Sequence, residues 1–269
     1  MSAVHIIPDP ARLEESLALA EYWDAGFEYN DFCEPRLLDD ETAFRARIGL
    51  YRSMDRDRSR DTLHGAFLDV TVHSDDPLIR RVSEKRVLQS MEAARALGVR
   101  GVVFHTGLIP NFRSSFYTKN WLDRNRLFWS DICGRYPEIG VWMENMFDMD
   151  PLLLLALAES MGDDANFGIC LDYAHALVFG GDPALWLACL APYVRHMHIN
   201  DNDGQDDLHD AVGDGIIDWV CFDRALREKG ITPSVLIETK DLRKQRASLE
   251  YMRERRIYPF GQEGGTASC

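Results

Sequence analysis

Residues 196–219, "HMHINDNDGQDDLHDAVGDGIIDW", concentrate side chains that could bind a metal ion. The 24 residues include three His, seven Asp and two Asn, and neither Lys nor Glu. An ordinary solvated loop would carry Lys and Glu, whereas imidazoles and short carboxylates are common ligands of divalent ions. Because the segment begins with an apolar run typical of a buried strand, we expect these ligand groups where that strand ends.

Six apolar runs of the chain end in a residue that could bind metal or transfer a proton. Their spacings are 41, 39, 28, 26 and 40 residues, each about one strand–helix unit, and the residues are His64, His105, Glu144, Asp172, His198 and Glu238. A single buried His or Asp is usually a hydrogen-bonded structural group. Six such endings in a barrel of strand–helix units would meet at one mouth, which predicts a shared site.

Three further residues extend this set to nine. His175 lies three positions after Asp172, and Asp207 and His209 form a D-x-H pair after His198. Nitrogen and oxygen ligands without thiolate favour Zn²⁺ or Mn²⁺, and Co²⁺ or Fe²⁺ also fit. Nine groups could hold two or three ions with bridging carboxylates. Alternatively, one ion binds four of them and the others contact substrate.

The elements that would position these residues alternate along the chain. Eight apolar or β-branched runs are each followed by sequence of helical periodicity, and they span residues 4–7, 26–32, 62–68, 101–107, 139–145, 167–175, 193–201 and 233–240. This pattern predicts an α/β fold, a (β/α)₈ TIM barrel forming a single domain over residues 1–258. Gly98 is expected to end one helix, and residues 259–269 are expected to form a disordered C-terminal tail. A doubly wound sheet is disfavoured because no glycine-rich loop follows the first strand.

Composition restricts the class of partner. The chain has 269 residues, of which 46% are hydrophobic, and its formal net charge is −14. That charge disfavours nucleic acid and leaves small neutral or metal-chelated substrates. The six cysteines form no CxxC pair, and neither a signal peptide nor a membrane span is evident, so a cytoplasmic protein is expected. The sequence is also compatible with a homo-oligomer.

From "TLHGAFL" to "VLIETK" the sequence resembles the xylose isomerase-like TIM-barrel superfamily. In its isomerase and epimerase branch, Glu, Asp, His and Glu on four late strands hold one divalent ion. The resemblance implies that these ligands are Glu144, Asp172, His198 and Glu238. The segment "HINDNDG…GDGIIDW" also resembles that branch.

The sequence also resembles, residue by residue, the endonuclease IV class of the same superfamily, which by its ligands alone is the closer match. That class builds a trinuclear zinc site, and the resemblance implies that its additional ligands are His64, His105, His175, Asp207 and His209. Enzymes of that class also insert loop side chains into the DNA duplex. Phe67 and Leu68 could form one such wedge. However, the loop "CEPRLLDDETAF" is acidic and does not resemble a basic recognition loop.

The leading interpretation is a metal-dependent isomerase or epimerase of a small sugar, sugar phosphate or polyol, acting through an enediolate. Glu144 and Glu238 would move the carbon-bound proton, and His175 or His209 would shuttle protons between oxygens. Residues 105–121 are expected to form a loop over the site, and the residues expected to contact substrate are Arg113, Lys119 and Phe67. The alternative is a zinc phosphodiesterase acting on abasic DNA or a small phosphate ester. A non-catalytic barrel would require these residues to be functionless remnants; the loss of a central ligand would support it, and none is lost.

Overall fold

A computed structural model of the protein describes residues 4–112, 114–162 and 164–261. Eight parallel strands pair in chain order and close into a barrel, because β1 also pairs with β8. The strands are β1 (Val4–Ile6), β2 (Gly26–Tyr29), β3 (Thr62–His64), β4 (Gly101–His105), β5 (Gly140–Glu144), β6 (Phe167–Asp172), β7 (Val194–Ile199) and β8 (Ser234–Ile237). The predicted (β/α)₈ barrel is confirmed.

Helices follow every strand and cover the outside of the barrel. Within the described residues they are α1 (Leu13–Trp23), α2 (Pro35–Asp39), α3 (Glu41–Arg52), α4 (Pro77–Leu97), α5 (Ser115–Arg135), α6 (Leu152–Ser160), α7 (Tyr173–Val178), α8 (Pro183–Leu190), α9 (Trp219–Lys229) and α10 (Leu242–Arg255). Asp76 caps α4 by accepting from the backbone N–H of Leu78, and Gly98 ends it with a φ of 73°. The predicted stop at Gly98 is therefore confirmed. None of the helices in the described residues has the length and apolar character needed to cross a membrane.

The strand register brings the predicted site residues to one end of the barrel. His105 is paired with Glu144, and Asp172 is paired with His198 across adjacent strands. Several strands end earlier than the sequence pattern predicts, as in β3, which ends at His64 rather than at residue 68. Apolar residues such as Phe67 lie beyond the end of the hydrogen-bonded strand and line the mouth of the barrel. The apolar pattern in the sequence therefore extends past the strand itself.

The opposite end of the barrel is filled by aromatic side chains. Trp142 lies against the backbone of Gly101 and Gly140, where an added Cβ would come within 2.6 and 2.7 Å of the indole. The same indole stacks on the ring of His196 at 5.2 Å. This packing fills the barrel interior towards the amino ends of the strands, which we call the closed end.

The beginning of the predicted C-terminal tail lies against the barrel. Phe260 packs edge-to-face on Trp23 of α1, with ring centroids 5.5 Å apart. Tyr258, just before the predicted boundary, donates a hydrogen bond to the backbone oxygen of Pro233. Residues 262–269 of the predicted tail lie outside the described residues.

Candidate metal centre

Four buried side chains meet at the carboxyl ends of β5 to β8. We call Glu144, Asp172, His198 and Glu238 the interior cluster; each offers a ligand atom within 4.8 Å of the others. Nδ1 of His198 lies 3.2 Å from Oε1 of Glu144 and 3.4 Å from Oε1 of Glu238. Glu144, Asp172 and His198 are fully buried, and Glu238 is 8% exposed. The four residues that the family resemblance implied are therefore together.

Glu144 also belongs to a second group at β3 and β4. Its Oε2 lies 3.1 Å from Nε2 of His105 and 3.5 Å from Nε2 of His64. The two histidine nitrogens are 3.2 Å apart. One carboxylate thus contacts the interior cluster through Oε1 and this histidine pair through Oε2, as a bridging ligand would.

The third group is carried by a short helix and a loop. We call His175, Asp207 and His209 the loop cluster, in which Oδ2 of Asp207 lies 3.3 Å from Nε2 of His175 and 3.1 Å from Nε2 of His209. Asp172 caps α7 by accepting from the backbone N–H of His175 at 2.7 Å. The cap places His175 on the first turn of α7, where its ring reaches the mouth.

The ligand atoms of the interior cluster lack the hydrogen bonds that buried polar atoms normally make. Within the described residues, no hydrogen-bond partner exists for either oxygen of Glu144, Oδ2 of Asp172, Oε2 of Glu238 or Nδ1 of His198. Burying so many unpaired acceptors is costly unless a cation satisfies them. The residues present therefore fit a divalent metal ion.

The pKa values of residues in the interior cluster and the loop cluster reflect strong interactions between their charges. Burial opposes ionisation, yet His198 and His105 hold the pKa of Glu144 well below its usual range. Burial, reinforced by the charges of Glu238 and Glu144, raises the pKa of Asp172 well above its usual range. Burial also disfavours a charged His209, but Asp207 and Glu238 raise its pKa to about 10. Protons on the imidazoles thus balance the carboxylates, and a metal ion would replace them.

The residues predicted to contact substrate differ in where they lie. The ring of Phe67 is 5.0 Å from that of His105, and it lines a cavity of about 260 Å³ beside the metal centre. Lys119 lies on α5 with a side chain 77% exposed and paired with Asp123. Arg113 is outside the described residues.

The predicted loop over residues 105–121 is wrong from residue 115 onward, where α5 begins. Ser114 caps this helix by accepting from the backbone N–H of Tyr117. The pairing of Lys119 with Asp123 one turn later supports the helix further. These local interactions turn the second half of the segment into a helix.

Two buried residues around the ligands were not anticipated. Glu28 lies in the middle of β2 rather than at its end, and its Oε1 is 3.1 Å from Nε2 of His198. Asn145 exchanges two 2.9 Å hydrogen bonds with the backbone of Asp172 and thereby holds the ends of β5 and β6 together. The available signal for Glu28 was a lone charge within the apolar run "GFEY".

A family described as xylose isomerase-like TIM barrel matches residues 22–255. The chain belongs to this family. Uncharacterized protein MJ1311 of Methanocaldococcus jannaschii is 29% identical over 211 residues, which cover 74% of this chain and 71% of that protein.

Two solved structures extend the likeness of this xylose isomerase-like barrel over nearly its whole length. The TTHB071 protein of Thermus thermophilus, soaked with ZnCl2, has a TM-score of 0.76 and 27% identity, covering 94% of this chain and 97% of that one. A D-tagatose 3-epimerase-like protein has a TM-score of 0.74 and 25% identity, covering 93% and 96%. The chain thus shares its fold with a protein soaked with ZnCl2 and with an epimerase-like protein.

Proposed function

We propose that the protein is a divalent-metal-dependent isomerase or epimerase of a small sugar, sugar phosphate or polyol. The observation that carries the proposal is that Glu144 and Glu238 both approach His198, 3.2 and 3.4 Å from its Nδ1. Both carboxylates are buried and have oxygens without hydrogen-bond partners. Two carboxylates facing one small space are suited to take a proton from one face of a carbon and return it from the other.

Glu144, Asp172, His198 and Glu238 would hold the ion. A bound divalent ion supplies a Lewis acid that polarises the substrate carbonyl and offsets the negative charge of an enediolate. Glu144 or Glu238 removes the proton from the carbon beside that carbonyl, and the other carboxylate delivers a proton there. His175 and His209, held by Asp207, move protons between substrate oxygens.

Similarity supports this proposal without deciding the substrate. The D-tagatose 3-epimerase-like protein shares 25% of aligned residues with this chain, and its name points to epimerisation beside a ketose carbonyl. The formal charge of −14 is compatible with a small carbohydrate and disfavours a DNA duplex. The acidic segment at residues 33–44, expected to be a loop but folded mostly as α2 and the start of α3, points the same way. We therefore expect a small-molecule substrate.

A second candidate, zinc-dependent hydrolysis of a phosphate ester, is favoured by one specific observation. Three groups of ligands lie side by side: the interior cluster, the histidine pair with Glu144, and the loop cluster. An isomerase needs one ion, whereas two or three ions would activate water and stabilise the leaving oxygen of a phosphoric ester. The resemblance to the endonuclease IV class adds abasic DNA to the possible substrates.

Proton exchange with solvent separates the two functions. The protein loaded with Mn²⁺, Co²⁺ or Zn²⁺ is incubated in D₂O with a panel of ketoses, ketose phosphates and inososes, and loss of the C–H signal beside the carbonyl is followed by proton NMR. We expect exchange with the wild type and none with Glu238→Gln. Hydrolysis of a phosphate ester or abasic DNA, without exchange on any panel member, would reject the isomerase in favour of the second candidate.

A further inference from the structure

A chain of buried polar side chains runs beneath the interior cluster, along the barrel axis. Glu28 of β2 is fully buried. Its Oε2 accepts a hydrogen bond from the hydroxyl of Thr62 at 2.8 Å and lies 3.1 Å from Nε2 of His196. Nδ1 of His196 is in turn 2.7 Å from the hydroxyl of Ser234. Side chains from three other strands thus fix the carboxylate of Glu28: Thr62 and His196 directly, and Ser234 through His196.

The other carboxylate oxygen of Glu28 faces the candidate metal ligand His198. Oε1 lies 3.1 Å from Nε2 of His198. Within the described residues neither atom has a hydrogen-bond partner of good geometry. A fully buried acceptor and a fully buried ring nitrogen at this distance can satisfy one another through a small rotation of the ring, and burial without pairing would be costly for both.

His198 is oriented differently from three other histidines at the mouth. The rings of His64, His175 and His209 place Nδ1 within 2.9, 3.0 and 2.7 Å of a backbone carbonyl oxygen. Each Nδ1–H can donate there, which leaves Nε2 facing the cluster. In His198 the roles are reversed, because Nδ1 faces Glu144 and Glu238 while Nε2 faces Glu28. A carboxylate therefore replaces the backbone carbonyl behind this ligand.

We propose that Glu28 is a positioning residue that accepts the Nε2 proton of His198, fixing the tautomer that presents Nδ1 to a divalent metal ion. The inference rests on the metal site of the proposed function but not on which reaction that site performs. A charged acceptor behind a ligating imidazole makes the ligand more basic and holds the ring in place. Glu28 touches neither the ion nor the substrate, so it acts through His198.

The test compares two isosteric changes of buried carboxylates, Glu28→Gln and Asp61→Asn. Asp61 is also fully buried; it accepts hydrogen bonds from the hydroxyl of Tyr29 and the backbone of Phe27, both on the strand that carries Glu28, and it pairs with the guanidinium of Arg56 at 2.7 Å. It contacts none of the mouth histidines through the bonds that hold it. Asp61→Asn therefore reports what the loss of a buried charge does to the fold alone.

Zn²⁺ and Co²⁺ affinities are measured by competition with a chromophoric chelator, with Glu238→Gln identifying the ion held by the interior cluster. We expect Glu28→Gln to weaken the affinity for that ion by about tenfold or more, as for other residues that support a metal ligand. Asp61→Asn should leave the affinity within about twofold even if it lowers the melting temperature. Equal affinities for the wild type and Glu28→Gln would overturn the role of Glu28.

The tautomer itself is read by nuclear magnetic resonance of zinc-loaded protein labelled with ¹⁵N-histidine. In the wild type, His198 should show a protonated Nε2 with a strongly downfield proton and a metal-bound Nδ1. In Glu28→Gln that proton should move upfield, because an amide oxygen is a weaker acceptor than a carboxylate. Metal bound through Nε2 of His198 would overturn the inference. Absence of any Glu238-dependent metal binding in the wild type would overturn the metal site as well.

Discussion

His5 at one end of this barrel and His175 and His209 at the other have opposite acid–base properties. At the closed end, His5 is fully buried, and burial together with the nearby His196 lowers its pKa to about 3. At the mouth, burial also disfavours the charged form of His175 and His209. There, Asp172 and Asp207 raise the pKa of His175 well above its usual range, and Asp207 and Glu238 raise that of His209 to about 10.

In these three histidines, the neighbouring carboxylates decide whether burial is offset. The mouth holds Glu144, Asp172, Asp207 and Glu238, whereas around His5 burial and the charges of His196 and Arg100, which lower its pKa, outweigh the charge of Glu28, which raises it. An imidazole without an adjacent carboxylate stays neutral and serves packing. The same side chain among carboxylates is suited to bind a metal ion or to carry a proton.

The largest effect is expected from Glu144→Gln, which removes the carboxylate shared by the interior cluster and the histidine pair. Turnover should fall by about 10³-fold, the range for losing a general acid or base, and bound metal should fall by at least one ion per chain. Metal content by plasma mass spectrometry and the exchange rate in D₂O measure both. A variant that kept its metal and its turnover would remove Glu144 from the centre of the site.

A smaller and more selective effect is expected from His209→Gln in the loop cluster. The side chain of His209 is 36% exposed and stands on a loop, whereas His198 is fully buried in β7. The change should weaken the affinity for one ion, the one held by the loop cluster, by about tenfold or more and leave the affinity of the interior cluster unchanged. Stepwise Zn²⁺ titration distinguishes the two sites.

The consequence for catalysis separates the two candidate functions. In an isomerase, His209→Gln should lower solvent exchange by less than about tenfold, because the carboxylates of the interior cluster remain. In a phosphoesterase that needs all its ions, turnover should fall by about 10²-fold or more. A loss of exchange as deep as that of Glu144→Gln would show that the loop cluster belongs to the proton-transfer machinery.

The sequence predicted the mouth well because the ends of parallel strands must meet. His64, His105, Glu144 and Asp172 end their strands, and the closed barrel brings them together. The family resemblance added the grouping into ligand sets, which spacing alone left open. Glu28 was missed because strand ends were compared and it lies within a strand, where a charge signals a buried partner rather than the mouth.

Local interactions explain the remaining difference. Residues 105–121 read as a loop because glycine, proline and serine punctuate the first half of the segment. The second half forms the start of α5, capped by Ser114 and supported by the pair of Lys119 and Asp123. The apolar periodicity of this 21-residue helix is hard to recognise in its first turns, where polar residues are frequent.

The smallest effect should come from the closed end, where His5→Gln tests the other half of the comparison. Nε2–H of His5 donates to the backbone oxygen of Arg60 at 2.8 Å, and a glutamine amide can keep that bond without titrating. In the wild type, the folded protein keeps His5 neutral between pH 6.5 and about 3, while the unfolded chain binds a proton there. The free energy of unfolding therefore falls with falling pH in this window, by at most about 1.4 kcal/mol per pH unit from this residue.

Denaturant unfolding of both proteins, stripped of metal by a chelator, measures this contribution as a difference. The stability of the wild type relative to His5→Gln should be constant above about pH 6.5 and decline below it, while Zn²⁺ affinity at about pH 7 should not change. A pH-independent difference would mean that the folded protein protonates His5 as readily as the unfolded chain does. The imidazole of His5 at the closed end would then become charged as those at the mouth do. The two ends would differ only in whether their carboxylates can bind metal, and no longer in the charge of their imidazoles.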